Sequence, residues 1–189
     1  MSFENDIVES LNVLRNGGII LYPTDTIWGI GCDATNEKAI QRIYKLKQRE
    51  ESKSLIILLA DERSLMQYIA APDPAVFDYL ETLQQPTTII FNGAIELPDN
   101  LINKDGSIGI RIVKEDFCRH LVKRLGHPLV STSANISGTP SAATFSEISP
   151  EIIEGVDYVV KYRQQENKPA QASKVVKWED DGTLTVLRG

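Results

Sequence analysis

Two segments of the chain combine residue types that could bind a polyanion. Lys47 and Arg49 supply two positive charges two residues apart, and such groups are the usual partners of phosphate and carboxylate oxygens. Later in the chain, Ser131, Ser133 and Asn135 place two hydroxyls and an amide at every second position. In an extended segment these side chains project on one side. The combination indicates a site for a phosphorylated ligand that is built without a Walker loop.

The use of Lys47 and Arg49 as a pair depends on where the preceding helix ends. If the helix that begins near Asn36 continued, at roughly 100° per residue Lys47 would lie near Ile43 on the apolar face and Arg49 nearly opposite. If the helix ends near Lys47 and the chain extends, both charges face one cleft and Lys53 adds a third. Glu50, Glu51 and Ser52 are typical of a loop, which favours this second geometry. The alternative is a solvated basic helix end that complements the helix dipole.

Two polar segments each have a functional and a structural interpretation. Residues 131–141, STSANISGTPS, could bind phosphate, ribose or a zwitterion, or could form turns that satisfy their own backbone. Tyr22–Thr26 follows an apolar run, where α/β sheets bind ligands, or forms an ordinary turn. His120 and His127 have no metal-type partners nearby in the sequence. We therefore expect no metal site made by protein side chains.

One competing motif points to a dinucleotide. Gly29, Gly31 and Ala34 satisfy the pattern G-x-G-x-x-A. These glycines lie inside an apolar run rather than in a strand-to-helix turn, which favours a closely packed strand over a dinucleotide-binding enzyme. The sequence contains no Walker loop, nucleophile elbow or H-E-x-x-H motif. Any chemistry would therefore depend on positioning and on charge stabilisation.

Composition limits the classes of protein. The chain has 189 residues of which 42% are hydrophobic, which is enough for a single domain over residues 1–189. A net charge of −6 argues against a broad basic face for nucleic acid. Cys32 and Cys118 are expected to be buried free thiols. The longest apolar run, Leu55–Ala60, has six residues, so we expect a cytoplasmic protein with no membrane contact.

Strand-like and helix-like patterns alternate along the chain. Several strand-like runs follow one another without a helix between them, which predicts a mixed sheet with helices on its faces, in the α/β class. Strands are predicted at 19–22, 27–32, 55–59, 87–91, 107–113, 129–131, 156–160, 174–178 and 184–187. Helices are predicted at 3–15, from 36 to about 47, at 62–71, 74–83 and 115–125, and from a capping box at 144–147.

Five motifs in a fixed order carry a resemblance to a known family. They are Gly17–Gly31, Lys47-x-Arg49, Pro86-x-Thr88, Ile108–Arg111 and Ser133-Ala134-Asn135-x-Ser137-Gly138, followed by Ser173 and Leu187-Arg188-Gly189. In these motifs the chain resembles the YrdC-like family, the threonylcarbamoyl-AMP synthases. The resemblance covers nearly the whole chain, and it implies the twisted α/β sheet of that family, with an open concave cleft.

The resemblance implies an activity and a site. The family joins L-threonine, bicarbonate and ATP into threonylcarbamoyl-AMP and pyrophosphate, for the threonylcarbamoyladenosine modification of tRNA. Lys47 and Arg49 would act in catalysis at the triphosphate, and Mg²⁺ is expected with ATP. The implied ATP-binding residues are Lys47, Arg49, Lys53, Ser107, Ser133, Asn135, Ser141 and Arg188. The implied threonine-binding residues are Thr26, Arg111, Ser131 and Ser173.

The resemblance also implies partners and leaves one alternative. Some members are described as binding double-stranded RNA, and a short member would need separate tRNA-modifying proteins to transfer the threonylcarbamoyl group. Glu50 and Ser54 stand where members usually have Pro, and Leu58 where they often have His. These departures favour the alternative of a divergent paralogue that binds nucleotide or double-stranded RNA without the synthase activity.

Overall fold

A mixed β-sheet forms the centre of the protein. The computed structural model describes residues 3–50, 55–167 and 171–189. The strands are β1 Ile20–Tyr22, β2 Gly29–Gly31, β3 Ile56–Leu59, β4 Thr87–Phe91, β5 Ile108–Ile112, β6 Leu129–Ser133, β7 Tyr158–Val159, β8 Lys174–Trp178 and β9 Leu184–Arg188. The helices are α1 Glu4–Arg15, α2 Glu37–Leu46, α3 Leu65–Tyr68, α4 Ala75–Thr82, α5 Asp116–Leu125 and α6 Pro150–Gly155, with 3₁₀ turns at Glu62–Ser64 and Phe145–Glu147.

The sheet combines parallel and antiparallel pairs, as the sequence predicted. Its strand order is β7-β1-β2-β6-β3-β5-β4-β8-β9. The pairs β7–β1, β3–β5 and β4–β8 are parallel, and the other neighbours are antiparallel. Strand β6 joins the two halves, because Ser133 pairs with Gly29 on β2 and Ser131 pairs with Ile56 on β3. The hydroxyl-bearing end of β6 therefore lies in the middle of the sheet.

The two longest amphipathic helices after α1 begin at side-chain caps. At the start of α2, Asn36 Oδ1 accepts a hydrogen bond from the Ala39 backbone N–H at 3.0 Å. At the start of α5, Glu115 accepts one from the Cys118 N–H at 2.8 Å, and Gly126 ends the helix in the left-handed region. In the described part of the chain, no helix has the length and apolarity needed to cross a membrane.

Two helix predictions were wrong in detail. The predicted helix at 62–71 is a 3₁₀ turn followed by the single turn of α3, because Ile69 is already extended. The capping box at 144–147 starts only a 3₁₀ turn. The Thr144 hydroxyl contacts the Glu147 carboxylate at 3.1 Å and caps no backbone N–H. The helix begins instead at Pro150, a residue suited to the first helical position.

The glycines of the G-x-G pattern are explained by packing in β2. Both lie within the strand, where Gly31 pairs with Ile20 and Gly29 pairs with Tyr22. A Cβ atom on Gly31 would collide with the Val130 carbonyl oxygen and lie 2.8 Å from the Tyr22 ring. The residue is therefore required by close approach of neighbouring groups. The expectation of a packed strand is confirmed, and no dinucleotide turn is formed there.

Gly31→Ala is expected to lower the free energy of unfolding by about 1–3 kcal/mol, the usual cost of overpacking a core. Urea denaturation followed by circular dichroism measures it. Gly29→Ala is the matched control on the same strand, because its nearest atom, Ser131 Oγ, would lie at 3.3 Å and the loss should be smaller. Equal losses in the two variants would contradict the packing argument.

Candidate functional site

A cleft of about 330 Å³ opens over the central strands of the sheet. On β5, Gly109 and Arg111 line the cleft while Ile110 between them is buried in the core. On β6, the consecutive residues Ser131, Thr132 and Ser133 all line it. Eight of the predicted site residues line this cleft, namely Thr26, Arg49, Arg111, Ser131, Ser133, Ser141, Ser173 and Arg188. The structure thus brings together residues from four of the five ordered motifs, together with Ser173 and Arg188 from the segments that follow them.

The cleft is positively charged although the chain as a whole is acidic. Arg49, Arg111 and Arg188 line it, and none of the described residues that line it is a carboxylate. Burial lowers the pKa of Arg49, but a guanidinium keeps its proton in proteins. Among the described residues, no group of three or more His, Cys, Asp or Glu side chains is placed to hold a metal ion. The arrangement favours an anionic ligand.

Arg111 is a buried guanidinium on the floor of the cleft. The residue is 4% exposed, and its Nη1 donates a hydrogen bond to Thr26 Oγ1 at 3.0 Å. Its Nη2 lies 3.3 Å from a carboxylate oxygen of Asp25. The Thr24 and Thr26 hydroxyl oxygens are 2.9 Å apart, which continues the polar contacts into the turn before β2. A guanidinium held in this way presents a fixed charge to a carboxylate.

Leu58 is the direct neighbour of Arg111 across β3 and β5. The two residues are in register in this parallel pair, and Leu58 is completely buried. An apolar side chain therefore stands beside the guanidinium. Among the described residues, the Nε of Arg111 has no hydrogen-bond partner. Arg111 thus lines the cleft with an apolar register neighbour on β3.

A second set of contacts joins the C-terminal strand to the cleft. The Thr88 and Ser173 hydroxyl oxygens are 2.9 Å apart, and both residues line the cleft. Arg188 donates from Nε and Nη2 to the Ser173 carbonyl oxygen at 3.0 and 2.8 Å. The predicted nucleotide residue Arg188 and the predicted threonine residue Ser173 are thus adjacent. Sequence reasoning gave Thr88 no role, although the Pro86-x-Thr88 motif pointed to it.

Two glycines keep the floor of the cleft free of side chains. A Cβ on Gly109 would lie 2.8 Å from the Ile56 side chain. A Cβ on Gly29 would lie 3.3 Å from Ser131 Oγ. Small residues at these positions allow a ligand to approach the strands closely.

The chain between Lys47 and Arg49 turns rather than extends. Helix α2 ends at Leu46, as predicted, but Gln48 has a φ of 49°. Arg49 N–H then donates to the Tyr44 carbonyl at 2.9 Å, and Gln48 N–H to the Lys45 carbonyl at 3.1 Å. These two bonds form a Schellman motif. The extended geometry that was predicted to point both charges into one cleft is therefore wrong.

Lys47 faces the protein interior instead of the cleft. Its side chain is 0% exposed, and its Nζ donates hydrogen bonds to the carbonyl oxygens of Ser133 and Asn135, the latter at 2.6 Å. The Ser137 N–H donates in return to the Lys47 carbonyl at 2.8 Å. Burial, and to a smaller degree the charge of Arg49, lowers the pKa of Lys47 to about 7. Lys47 thus shapes the loop after β6.

Of the remaining predicted residues, two do not line the cleft and one lies outside the described part of the chain. Ser107 is buried and donates to an Asp105 carboxylate oxygen at 2.6 Å. Asn135 uses its Nδ2 to bind the Ile136 and Thr139 carbonyls at 3.0 and 2.7 Å. Lys53 lies outside the described residues. Ser107 and Asn135 are held in local networks at a distance from the cleft surface.

Comparison with known proteins identifies relatives over most of the chain. The Sua5/YciO/YrdC family model, whose description is "Telomere recombination", matches residues 12–189. A Methanocaldococcus jannaschii protein with the provisional name threonylcarbamoyl-AMP synthase is 38% identical over 93% of this chain and 82% of its own. The threonylcarbamoyl-AMP synthase of Idiomarina loihiensis is 36% identical over 82% of this chain and 85% of its own.

Solved structures share the fold. Escherichia coli YciO superposes with a TM-score of 0.84 at 26% identity, over 97% of this chain and 88% of that one. Pyrococcus abyssi Sua5 complexed with L-threonine gives a TM-score of 0.85 at 21% identity and covers 98% of this chain. The present chain spans 54% of that longer protein. These superpositions confirm the predicted mixed α/β fold.

Lys47→Met tests the burial of the Lys47 charge through the pH dependence of stability. Between the folded pKa of about 7 and the ordinary value of 10.5, the unfolded chain binds a proton at Lys47 that the folded chain lacks. The unfolding free energy of the wild type should therefore rise relative to the variant as pH increases, with a limiting slope of about 1.4 kcal/mol per pH unit. Urea denaturation at several pH values measures it.

Lys45→Met is the matched control, because Lys45 is an exposed lysine of the same helix. It should show no such slope. A wild-type advantage over Lys47→Met that stays constant or falls with rising pH would contradict the burial of this charge.

Proposed function

Because this chain belongs to the Sua5/YciO/YrdC family, we propose that it is an L-threonylcarbamoyladenylate synthase, which forms threonylcarbamoyl-AMP and pyrophosphate from L-threonine, bicarbonate and ATP. The observation that carries the proposal is one cleft with three arginines and no carboxylate among its described lining residues. Hydroxyls complete that lining at Thr26, Thr88, Ser131, Thr132, Ser133, Ser141 and Ser173. The names of the relatives support the synthase and give no support to a binding-only paralogue.

The reaction brings several anions into one place. The amine of L-threonine and bicarbonate give a carbamate with loss of water. A carbamate oxygen then attacks the α-phosphorus of ATP, and the bond to pyrophosphate breaks. Positive side chains near these groups stabilise the charge that develops on the leaving pyrophosphate. No covalent bond to the protein is needed.

The cleft residues divide into two groups by the substrate that they bind. Arg111 binds the threonine carboxylate, and Thr26, Ser131 and Ser173 supply hydroxyls around the amino acid. Arg49 and Arg188 meet the triphosphate, with Ser133 and Ser141 beside the nucleotide. Lys47 and Asn135 act on the same nucleotide site from behind, because their side chains donate to neighbouring backbone carbonyls. Ser107 acts from behind as well, through its bond to the Asp105 carboxylate. Lys53 is the further cation proposed for the phosphates.

Mg²⁺ enters as part of the MgATP substrate. Mg²⁺ in nucleotide enzymes keeps several waters and is held largely by substrate phosphates. A cleft whose described lining is cationic and hydroxyl-rich suits an ion that the phosphates carry. The ion supplies extra charge neutralisation when it is bound, and the chain supplies the arginines.

The product implies a place in tRNA modification. A mixed anhydride of a carbamate with AMP is reactive, so separate transfer proteins would move its threonylcarbamoyl group to an adenosine of tRNA in the cytoplasm, which releases AMP and forms threonylcarbamoyladenosine. Any contact with RNA would be local, since the chain carries a net charge of −6.

Arg49→Ala is expected to lower kcat/KM for ATP by about 10- to 100-fold, because it removes charge-assisted hydrogen bonds worth about 1.5–3 kcal/mol. Pyrophosphate release with MgATP and bicarbonate, with and without L-threonine, measures it. The control is Arg42→Ala on α2, the helix that precedes Arg49; Arg42 is exposed and donates to Asp157 at 3.0 Å.

Arg42→Ala should retain wild-type activity. Equal activity of Arg49→Ala and Arg42→Ala would contradict the placement of the triphosphate at Arg49. Release that does not depend on L-threonine in the wild type would contradict the proposed function itself.

A further inference from the structure

Asp25 is a carboxylate behind the cleft to which the proposed reaction gives no role. It lies in the turn between β1 and β2, and its side chain is 12% exposed. Its Oδ1 atom is 3.3 Å from Nη2 of Arg111. Arg111 lines the cleft and Asp25 does not. The carboxylate therefore balances the arginine from the side that faces away from the ligand.

Thr26 and Asp25 hold the Arg111 guanidinium at its two terminal nitrogens. Nη1 donates to Thr26 Oγ1 at 3.0 Å, while Nη2 faces Asp25. The contact with Asp25 is a charge contact rather than an aligned hydrogen bond, since Asp25 Oδ1 has no hydrogen-bond partner among the described residues. A guanidinium carries five N–H groups. Arg111 is thus oriented by its neighbours and keeps hydrogen-bonding capacity for a carboxylate in the cleft.

The turn that carries Asp25 is itself fixed. The Thr26 backbone N–H donates to Thr24 Oγ1 at 2.9 Å, and Thr24 Oγ1 donates to the Ile27 carbonyl at 2.8 Å. Arg163 Nη1 donates to the Thr24 carbonyl at 2.9 Å from the segment after β7. These bonds prevent the turn from following a reorientation of Arg111. The Asp25 carboxylate therefore holds a fixed position next to the Arg111 guanidinium.

Asp25 also lines a second cavity, separate from the cleft. This cavity has a volume of about 300 Å³ and is also lined by Leu80, Leu83 and Ile112. The Asp25 carboxylate thus faces the second cavity while it contacts Arg111 from behind, and it stays out of the anion-binding cleft. Its negative charge would otherwise repel the threonine carboxylate and the phosphates.

We propose that Asp25 is a positioning residue for amino-acid recognition: it fixes Arg111 in the orientation that binds the carboxylate of the substrate. This inference rests on the proposed function, in which Arg111 binds the threonine carboxylate. Asp25 acts through Arg111 and touches no substrate. Its removal should therefore change recognition of the carboxylate and leave recognition of ATP intact.

Asp25→Asn tests the proposal through the KM values for L-threonine and ATP and through the binding of L-threonine and L-threonine amide. The KM for L-threonine should rise about tenfold or more, which corresponds to about 1.4 kcal/mol, while the KM for ATP stays within about twofold of the wild type. Calorimetry of the same proteins should show that the wild type prefers L-threonine to L-threonine amide, which lacks the carboxylate. Asp25→Asn should lose most of that preference.

The matched control is Asp33→Asn. Asp33 is as buried as Asp25, at 11% side-chain exposure, and it pairs with His127 outside the cleft. It should retain both KM values and the preference for the carboxylate. If Asp25→Asn fails to fold, Asp25→Glu is the second test. It keeps the negative charge but displaces it by one methylene, so it should also raise the KM for L-threonine and leave the KM for ATP unchanged.

Different results overturn the two proposals. If the wild type shows no threonine-dependent pyrophosphate release, the proposed function is wrong. The calorimetric comparison of L-threonine with L-threonine amide still tests the role of Asp25 in that case. Unchanged threonine KM and preference in a folded Asp25→Asn overturn the positioning role. An equal loss of ATP and threonine recognition would overturn it as well, because that result indicates a general structural defect.

Discussion

The burial of one lysine charge holds the two halves of the site together. The Lys47 ammonium is fully enclosed and donates to the carbonyl oxygens of Ser133 and Asn135. The end of α2 and the loop after β6 therefore cannot separate without leaving a charge or two carbonyls unsatisfied. Arg49 reaches the cleft because the residue two positions earlier is anchored and the helix closes in a Schellman turn. The lysine therefore positions both Arg49 at the cleft and the loop after β6.

A second constraint is the separation of charges by sign. The chain has 26 acidic and 20 basic residues, yet the described lining of the cleft holds arginines and no carboxylate. Asp25 lies behind Arg111 and faces a different cavity. Counter-charge for a buried arginine is thus supplied without placing a carboxylate next to the ligand. An acidic protein can bind a triphosphate and an amino-acid carboxylate together when its local charges are arranged in this way.

Much of the fold could be predicted from local patterns, while the contacts between motifs could not. Period-two alternation placed Ser131 and Ser133 on the cleft face of β6, and helical spacing gave α2 and α5. The same spacing put Lys47 one turn after Ile43 on the apolar face, which was the signal for its burial. That signal was set aside because Glu50, Glu51 and Ser52 favoured a loop in which both charges would face one cleft. Ser107 was assigned from the family resemblance alone, and its hydrogen bond to Asp105 forms in a turn that helical or strand periodicity does not predict.

The most direct measurement is the fate of labelled carbon from bicarbonate. The protein is incubated with ¹³C-bicarbonate, MgATP and L-threonine, and the adenylate product is analysed by mass spectrometry. We expect an AMP conjugate that contains both threonine and one ¹³C atom, and that is absent when either L-threonine or bicarbonate is omitted. An AMP conjugate without the label, or no conjugate from a folded protein that binds ATP, would contradict the proposed function.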